Sequence, residues 1–349
     1  MPENNCAVLL AAGEGKRMKW NRPKVLSQVL FKPMLQWVLD AVRFSGIDKV
    51  CVVAGFMHEK VEEYISKNEP EAGCVLQSKQ LGTGHAVMSA AGFISSKAMD
   101  GNTLVLNGDA PFISSEMITG ALKEHTEKNS SVTVISASVA DPTGYGRIVR
   151  DPSKGFVSGI VEQKDASAEE RKINEINSGA FWFKTADLLD VLKKIKNDNK
   201  QGEYYLTDAV KILIAENKRA GAYKASSPAA ALGANDCLQL SELNGIARKR
   251  LLSGLMLSGV DIPCTDGVLI GPDVKIGKSV CILPGTIIKG KTSIGDNCTI
   301  GPNTVLDGCV IKDSVTLNSV QMIRCTVKSG TYVKPFSVYG VQKNADKAT

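Results

Sequence analysis

From residue 6 to about residue 235, short apolar runs rich in β-branched residues alternate with stretches whose apolar positions recur at helical spacing. The runs CAVLL (6–10), KVCVVAG (49–55) and NTLVLNGD (102–109) hold their apolar character over consecutive residues, the pattern of strands buried on both faces. Between them, 33–45 and 59–67 carry apolar residues along one face of a helix. This alternation predicts an α/β domain over residues 1–235, a mostly parallel, Rossmann-like sheet with helices on both faces. Ligands of such sheets bind beyond the carboxyl ends of the strands. Two strand ends stand out for Gly and Asp: the loops after Leu10 and after Leu106.

Residues 236–259 predict an amphipathic linking helix, with Leu238, Leu243, Ile246, Leu251 and Leu255 spaced three to five apart, although Gly245 and Gly254 weaken it. Past it the period changes. Ile270, Ile276, Ile282, Ile288, Ile294, Ile300 and Leu306 fall every six residues, and Gly follows Ile270, Ile276, Ile294 and Ile300. A six-residue period with one fixed apolar phase marks a hexapeptide solenoid, here a left-handed parallel β-helix over 260–349 in which each hexapeptide makes one side of a three-sided coil. After Leu306 the phase slips by one and resumes at Ile311, Leu317 and Ile323. Cys281, Cys298 and Cys309 are expected inside the coils as small hydrophobes.

With 43% hydrophobic and 22% charged residues, the chain is neither disordered nor fibrous. Its net charge of +6 is spread too thinly for a nucleic-acid stripe. Nine cysteines without a C-x-x-C pair disfavour a zinc ribbon or a thioredoxin-like site and fit reduced thiols. The run Cys6–Ala12 has no Lys or Arg before it and leads into a Gly-rich loop, so it reads as a strand and not a signal peptide. No segment approaches the roughly 18 apolar residues of a membrane span. A soluble, cytoplasmic protein is expected.

The loop after the first strand reads LLAAGEGKRM, with Pro23-Lys24 further on. Gly13 and Gly15 allow the backbone to approach a phosphate and aim N–H groups at it, and Arg17 and Lys24 can neutralise its charge. A plain tight turn would look the same. It is neither a Walker A loop nor a dinucleotide fingerprint, since Met18 stands where the third Gly would be. The second loop, Asn107-Gly108-Asp109-Ala110-Pro111, puts a carboxylate at a strand end, suited to a divalent ion beside a triphosphate or to an Asx-turn. In Gln77–His85 an amide and a small-residue turn precede a helix, matching either a base edge or a turn capped by Thr83; His85 reads as a structural histidine more readily than as a general base.

LAAGEGKRM with PK, QLGTGHA, NGDAP, GYGRIV, GIVEQKDA, EINSGAF, QGEYYLTD and GANDCLQL occur in this order. In this the chain resembles the N-acetylglucosamine-1-phosphate uridyltransferase family from about residue 6 to residue 243, and the linking helix and solenoid agree with that family. The resemblance implies a nucleotide loop at Leu10, Ala11, Ala12 and Gly13, with Lys24 on the phosphates. It implies uracil recognition by Gln77 and Gly82 with Thr83 beside them, Asn107 and Gly108 leading to the metal site, and Mg²⁺ held by Asp109 and Asn235. The amino sugar falls to Gly146, Glu162 and Asn177. The implied reaction joins UTP and N-acetylglucosamine 1-phosphate to give UDP-N-acetylglucosamine, a cell-wall precursor, and pyrophosphate, with Arg17, Lys24 and Asp109 catalytic. A homotrimer through the β-helix is the implied assembly.

Two departures stand out. Asn107 occupies a position often aromatic in the family. Bifunctional members carry a longer solenoid that acetylates glucosamine 1-phosphate with a histidine base, whereas the three histidines here are His58, His85 and His125, none of them in the solenoid. Acetyl transfer is therefore expected to be absent. The competing readings are a nucleotidyltransferase for glucose 1-phosphate or another base, a non-catalytic regulatory module of the same fold, and a solenoid acyltransferase.

Overall fold

Strand β1 (Asn5–Ala11) lies inside the sheet, with Ala7 to Leu9 fully buried against apolar layers on both faces. In the computed structural model, which describes residues 4–152, 155–199 and 201–340, the chain falls into two units. One is built from residues up to Ser27 and Pro33–Leu240, the other from Gln28–Lys32 and Ser241 onward. The first contains β1, β2 (Lys49–Ala54), β3 (Gly73–Leu76), β4 (Asn102–Asn107), β5 (Val132–Ser138), β6 (Arg147–Arg150), β7 (Val157–Val161), β8 (Glu175–Lys184) and β9 (Ala220–Lys224). The main path runs β9-β5-β8-β4-β1-β2-β3, and the antiparallel pair β6 and β7 joins through β6 to β8. All neighbours on the main path are parallel except at β8, which is antiparallel to both β4 and β5.

Alternation along the strands fills two cores. Ala7, Leu9, Val50, Val52, Leu104 and Leu106 face α1 (Met34–Phe44), α2 (His58–Asn68) and, further along, α5 (Ser115–Glu127). Val8, Cys51, Val53 and Val105 face the other way, toward α3 (Thr83–Ser89), α4 (Ala91–Ala98), α6 (Thr185–Leu192) and α7 (Leu206–Ala215). The two segments expected to be helical, 33–45 and 59–67, are α1 and α2 to within a residue at each end. After β3 the chain returns to the far side of β1 as β4, so the strand order reverses between β1 and β4, and their carboxyl ends open a crevice there.

Helix α8 (Cys237–Leu257) is continuous through Gly245 and Gly254. Of the expected stripe, Leu243 is buried, Leu251 and Leu255 are half-buried against the core and Ile246 is half-buried, whereas Leu238 is 71% exposed; Leu240, Ala247 and Leu252 are buried as well. Leu238 and Leu240 lie about 200° apart around the helix, and Leu240, three residues before Leu243, is the one that continues the buried face.

The second unit is a three-sided parallel β-helix. Its three sheets stack 269–270, 287–289, 305–307, 321–323 and 338–339; 275–276, 293–294, 310–311 and 326–327; and 281–282, 299–300, 316–317 and 332–333. Ile270 stacks on Ile288 and Ile288 on Leu306, eighteen residues apart each time. The later coils shorten. Leu306 stacks on Met322, so Met322 turns inward and Ile323, expected there, is only half-buried. Ile276 and Cys281 are also half-buried, while Cys298 and Cys309 lie inside as expected. All nine thiols are free, and no helix among the described residues is long and apolar enough to cross a membrane.

His125, near the end of α5, is 1% exposed, with Nδ1 3.0 Å from the Thr133 hydroxyl and no partner for Nε2. Burial, reinforced by the Lys184 charge and opposed by Asp187, pushes its pKa from 6.5 down to about 4. The native state thus keeps His125 neutral while the unfolded chain takes up a proton. The associated stability is present above pH 6.5 and lost as pH falls from there toward 4, up to about 3 kcal/mol. Denaturant melts across that window should show a shallower pH slope for His125→Gln than for the parent chain; equal slopes would exclude the assignment.

Candidate active site

The parallel register of β1 and β4 runs from Asn5 opposite Asn102 to Leu10 opposite Asn107, so both strands end together. The Gly108 N–H donates to the Leu10 carbonyl at 2.9 Å, which folds the second loop back over the end of β1. A Cβ at residue 108 would lie 3.0 Å from that carbonyl and 3.2 Å from Leu35 Cδ1, so Gly108 is floor and not lining. The first loop leaves β1 through Ala12, whose carbonyl accepts from Phe56 N–H at 3.1 Å, and turns at Gly15.

Above this floor the crevice has two lobes that share Leu10, Thr83, Asn107 and Asp109. The lobe beside the first loop encloses about 320 Å³ and is lined by Ala12, Gly13, Lys24, Gln77 and Gly82. The lobe beside β8 encloses about 270 Å³ and is lined by Gly146, Glu162, Asn177, Thr207 and Asn235.

In the first lobe, Gln77 is 3% exposed and its side chain is held by two contacts. Its Nε2 donates to the Gly82 carbonyl at 3.1 Å and lies 3.0 Å from His85 Nδ1. Since an amide nitrogen only donates, His85 Nδ1 accepts, and the side-chain oxygen is the atom of the Gln77 amide that these two contacts leave unused. Gly82 adopts a φ of +101°, and a Cβ there would sit 2.7 Å from the Tyr204 carbonyl. Thr83 does not cap its own helix; its hydroxyl accepts from the Leu206 N–H at 3.1 Å, at the start of α7.

Where the lobes meet, the Lys24 ammonium is ion-paired with Asp109 and donates to Asn235 Oδ1 at 2.9 Å. A carboxylate and an amide oxygen therefore converge on a single cationic centre. Two hard oxygen donors gathered in this way fit Mg²⁺, which takes few protein ligands and completes its shell with waters and substrate phosphates.

In the second lobe, Arg147 pairs with Val161 on one side and Ile176 on the other. One step along, Glu162, Gly146 and Asn177 form a cross-strand row, and the Asn177 N–H donates to the Gly146 carbonyl at 2.9 Å. A Cβ on Gly146 would lie 3.3 Å from Ile160 Cγ2 and 3.4–3.5 Å from the Glu162 carboxylate oxygens. The Thr207 hydroxyl donates to Glu162 Oε1 at 3.1 Å. Burial nevertheless holds the Glu162 carboxyl above the ordinary carboxylate range, outweighing that hydrogen bond. The register of β8 shifts between Asn177 and Ala180, a bulge that turns Ser178 and Gly179 toward the crevice.

The Nucleotidyl transferase family is matched over residues 6–228, and six repeats of the bacterial transferase hexapeptide over residues 273–308. The chain is 44% identical over 331 residues to the bifunctional protein GlmU of Acetivibrio thermocellus, covering 95% of this chain and 70% of that protein. It is 43% identical over 342 residues to the GlmU of Caldanaerobacter subterraneus, covering 96% and 73%. The chain belongs to the GlmU family. It is a nucleotidyltransferase of the UDP-N-acetylglucosamine diphosphorylase type.

Most of the residues that the resemblance singled out meet in this GlmU-family crevice. Leu10, Ala12, Gly13, Lys24, Gln77, Gly82, Thr83, Asn107, Asp109, Gly146, Glu162, Asn177 and Asn235 line one lobe or both. Ala11 and Gly108 lie in the floor, and Arg17 stands exposed on the short turn Lys16–Met18, outside both linings. The sequence assigns no part to Thr207, Tyr145 or Gly179, although they lie in the motif segments QGEYYLTD, GYGRIV and EINSG. Gly179 makes room for Asn107: its φ is +81°, and a Cβ there would lie 2.1 Å from Asn107 Nδ2. We expect Gly179→Ala to lower stability by about 1–3 kcal/mol in chemical denaturation. Gly13→Ala, whose Cβ would meet nothing within 4 Å, should leave the midpoint unchanged. Equal midpoints for both variants would refute the interlock.

Proposed function

We propose that this crevice joins UTP and N-acetylglucosamine 1-phosphate, giving UDP-N-acetylglucosamine and pyrophosphate with Mg²⁺. The observation that carries the reading is the convergence of both lobes on Asp109, with Lys24 and Asn235 around it. In this reading the lobe beside the first loop takes the nucleotide. Backbone from Leu10 to Gly13 lies against the phosphates, and Gln77 and Gly82 face the base with Thr83 beside them. Gln77 has both amide protons engaged, so its carbonyl oxygen suits the N3–H of uracil and not the lone pair of cytosine N3. The other lobe takes the amino sugar, with Glu162 and Asn177 on its polar groups and Gly146 admitting the ring.

The attacking oxygen belongs to a phosphate that is already anionic, so no general base is needed. Rate enhancement then comes from holding the sugar phosphate in line with the α-phosphorus and from stabilising charge on the departing pyrophosphate. Lys24 is placed to do the latter, and Arg17 is assigned the outward phosphates. Bound Mg²⁺, held by Asp109 and Asn235, would supply charge neutralisation between the two phosphates. With no histidine in residues 260–349, we assign no acetyl transfer to the solenoid. We place the protein in the cytoplasm, as a homotrimer through the β-helix; light scattering tests the assembly.

Initial rates of pyrophosphate release with UTP should favour N-acetylglucosamine 1-phosphate over glucose 1-phosphate and glucosamine 1-phosphate. Preference for glucose 1-phosphate would move the chain to a neighbouring specificity, and no release with any sugar would leave a non-catalytic module. Asp109→Ala should lose turnover by about 10³-fold or more with the fold intact by circular dichroism; activity like that of the parent would overturn the metal assignment.

Because the Glu162 carboxyl is held above the usual range, lowering the pH protonates it before ordinary carboxylates and removes an acceptor for sugar hydroxyls. KM for the sugar phosphate should therefore rise on acidification. The difference between the parent and Glu162→Gln isolates this effect, since the sugar phosphate itself titrates near pH 6. Parallel profiles would remove Glu162 from the sugar site.

A further inference from the structure

Arg147, the first residue of β6, is 1% exposed. Its guanidinium donates to the Tyr145 carbonyl and, at 2.6 Å, to Gln163 Oε1, while its Nε has no partner. Both hydrogen-bond acceptors are neutral, and the Asp141 carboxylate supports the charge only through space, by less than burial opposes it. A buried cation held by neutral oxygens costs desolvation that those bonds offset only in part, so stability alone is a poor reason for it to be there. Gln163 Oε1 also accepts from the Gly144 N–H at 3.3 Å, so one amide oxygen ties together the turn before β6 and the segment after β7.

We propose that Arg147 and Gln163 form a brace that sets the spacing of Glu162, Gly146 and Asn177, and so are positioning residues for the sugar phosphate. The proposal rests on the reading that this row holds the amino sugar. Tyr145 and Arg147 flank Gly146, and Gln163 follows Glu162. The brace therefore joins the neighbours of two members of the row, and the Gly146 carbonyl ties in the third through the Asn177 N–H. Without it, the turn is held by the Tyr145 N–H to the Pro142 carbonyl at 3.2 Å and by packing of Tyr145, neither of which reaches Glu162, while Gly144 is exposed with a φ of +89°. None of Gly144, Tyr145, Gly146, Glu162 or Asn177 lines the nucleotide lobe, so a fault in the brace should be felt by the sugar and not by UTP.

The test is steady-state kinetics on the full chain with Mg²⁺, varying N-acetylglucosamine 1-phosphate and UTP separately. Gln163 is half-buried, and Gln163→Ala should raise KM for the sugar phosphate about tenfold while leaving KM for UTP within about twofold. Gln163→Glu keeps an oxygen acceptor for both the guanidinium and the Gly144 N–H and should restore the sugar KM, a rescue that a general loss of stability would not show. Arg147→Met, provided its circular dichroism matches the parent, should reproduce the Gln163→Ala phenotype. Equal rises in both KM values, no rise in Gln163→Ala, or a Gln163→Glu variant as impaired as Gln163→Ala would each overturn the brace. Asn177→Ala, measured alongside, separates the two levels. An unchanged sugar KM there removes the row as the binding element and the brace with it; a raised sugar KM there with an unchanged Gln163→Ala removes the brace alone.

Discussion

The parallel pairing of β1 with β4 sets the geometry on which the crevice depends. Because Leu10 and Asn107 stand opposite each other at the ends of their strands, the two loops that follow leave the sheet at the same level and on the same side. The chain crosses from the β2–β3 side to the β4 side at this one place, so no helix crosses above it and the strand ends stay open. A slip of one residue in this register would turn Leu9 and Leu106 out of their core and carry Asp109 away from Lys24. The buried alternation of Ala7 and Leu9 against Val8, and of Leu104 and Leu106 against Val105, makes that slip expensive. Catalytic geometry is thus maintained by the same burial that maintains the fold.

The second lobe is made differently. It depends on β8, the one strand of the main path that runs against its neighbours, and on the short pair β6 and β7 attached to it. Antiparallel strands bring residues distant in sequence into one row, and the bulge beyond Asn177 tips the end of that row into the crevice. Parallel strand ends supply backbone N–H groups and a carboxylate, suited to phosphates. Antiparallel strands supply a line of facing side chains, suited to the hydroxyls and amide of a sugar. The solenoid imposes no such demands on the crevice. In a solenoid each coil is stabilised mainly by the next, so its coils can shorten from eighteen residues to sixteen while Met322 takes over from an isoleucine, at a cost confined to neighbouring coils.

Legibility in the sequence followed the kind of constraint. Strands buried on both faces announce themselves as continuous apolar runs, so β1, β2 and β4 could be read directly, as could helices α1 and α2. The hexapeptide phase identified the solenoid for the same reason: one apolar position repeats wherever the coil repeats. It failed at Ile323 because a shortened coil changes which residue stacks on Leu306, and nothing local marks the deletion. Leu238 failed because a five-residue step to Leu243 leaves the helical face, whereas Leu240, three residues before Leu243, stays on it. Glu162, Asn177 and Gly146 look like surface and turn residues individually, and only motif order assigned them. Their meeting is a matter of cross-strand register, which the sequence does not display. Thr207 and Gly179 were missed because their roles are toward other side chains, Glu162 and Asn107, and not toward any motif of their own.

The distribution of histidines agrees with the proposed chemistry. Phosphoryl transfer to a neutral hydroxyl asks for a base near neutral pH, and a histidine is the usual means of supplying one. Here His85 is turned toward Gln77 and His125 is buried in the fold, far along α5 from the strand ends. A nucleophile that is a phosphate oxygen carries its charge into the site and asks instead for cations held in place. In the proposed reading Lys24, ion-paired with Asp109 and hydrogen-bonded to Asn235, is the cation nearest that need, and a Mg²⁺ taken up by Asp109 and Asn235 would displace its ammonium toward the arriving phosphates. Pairing the lysine in advance also keeps Asp109 from standing as an uncompensated charge in a half-buried crevice that must admit two anions.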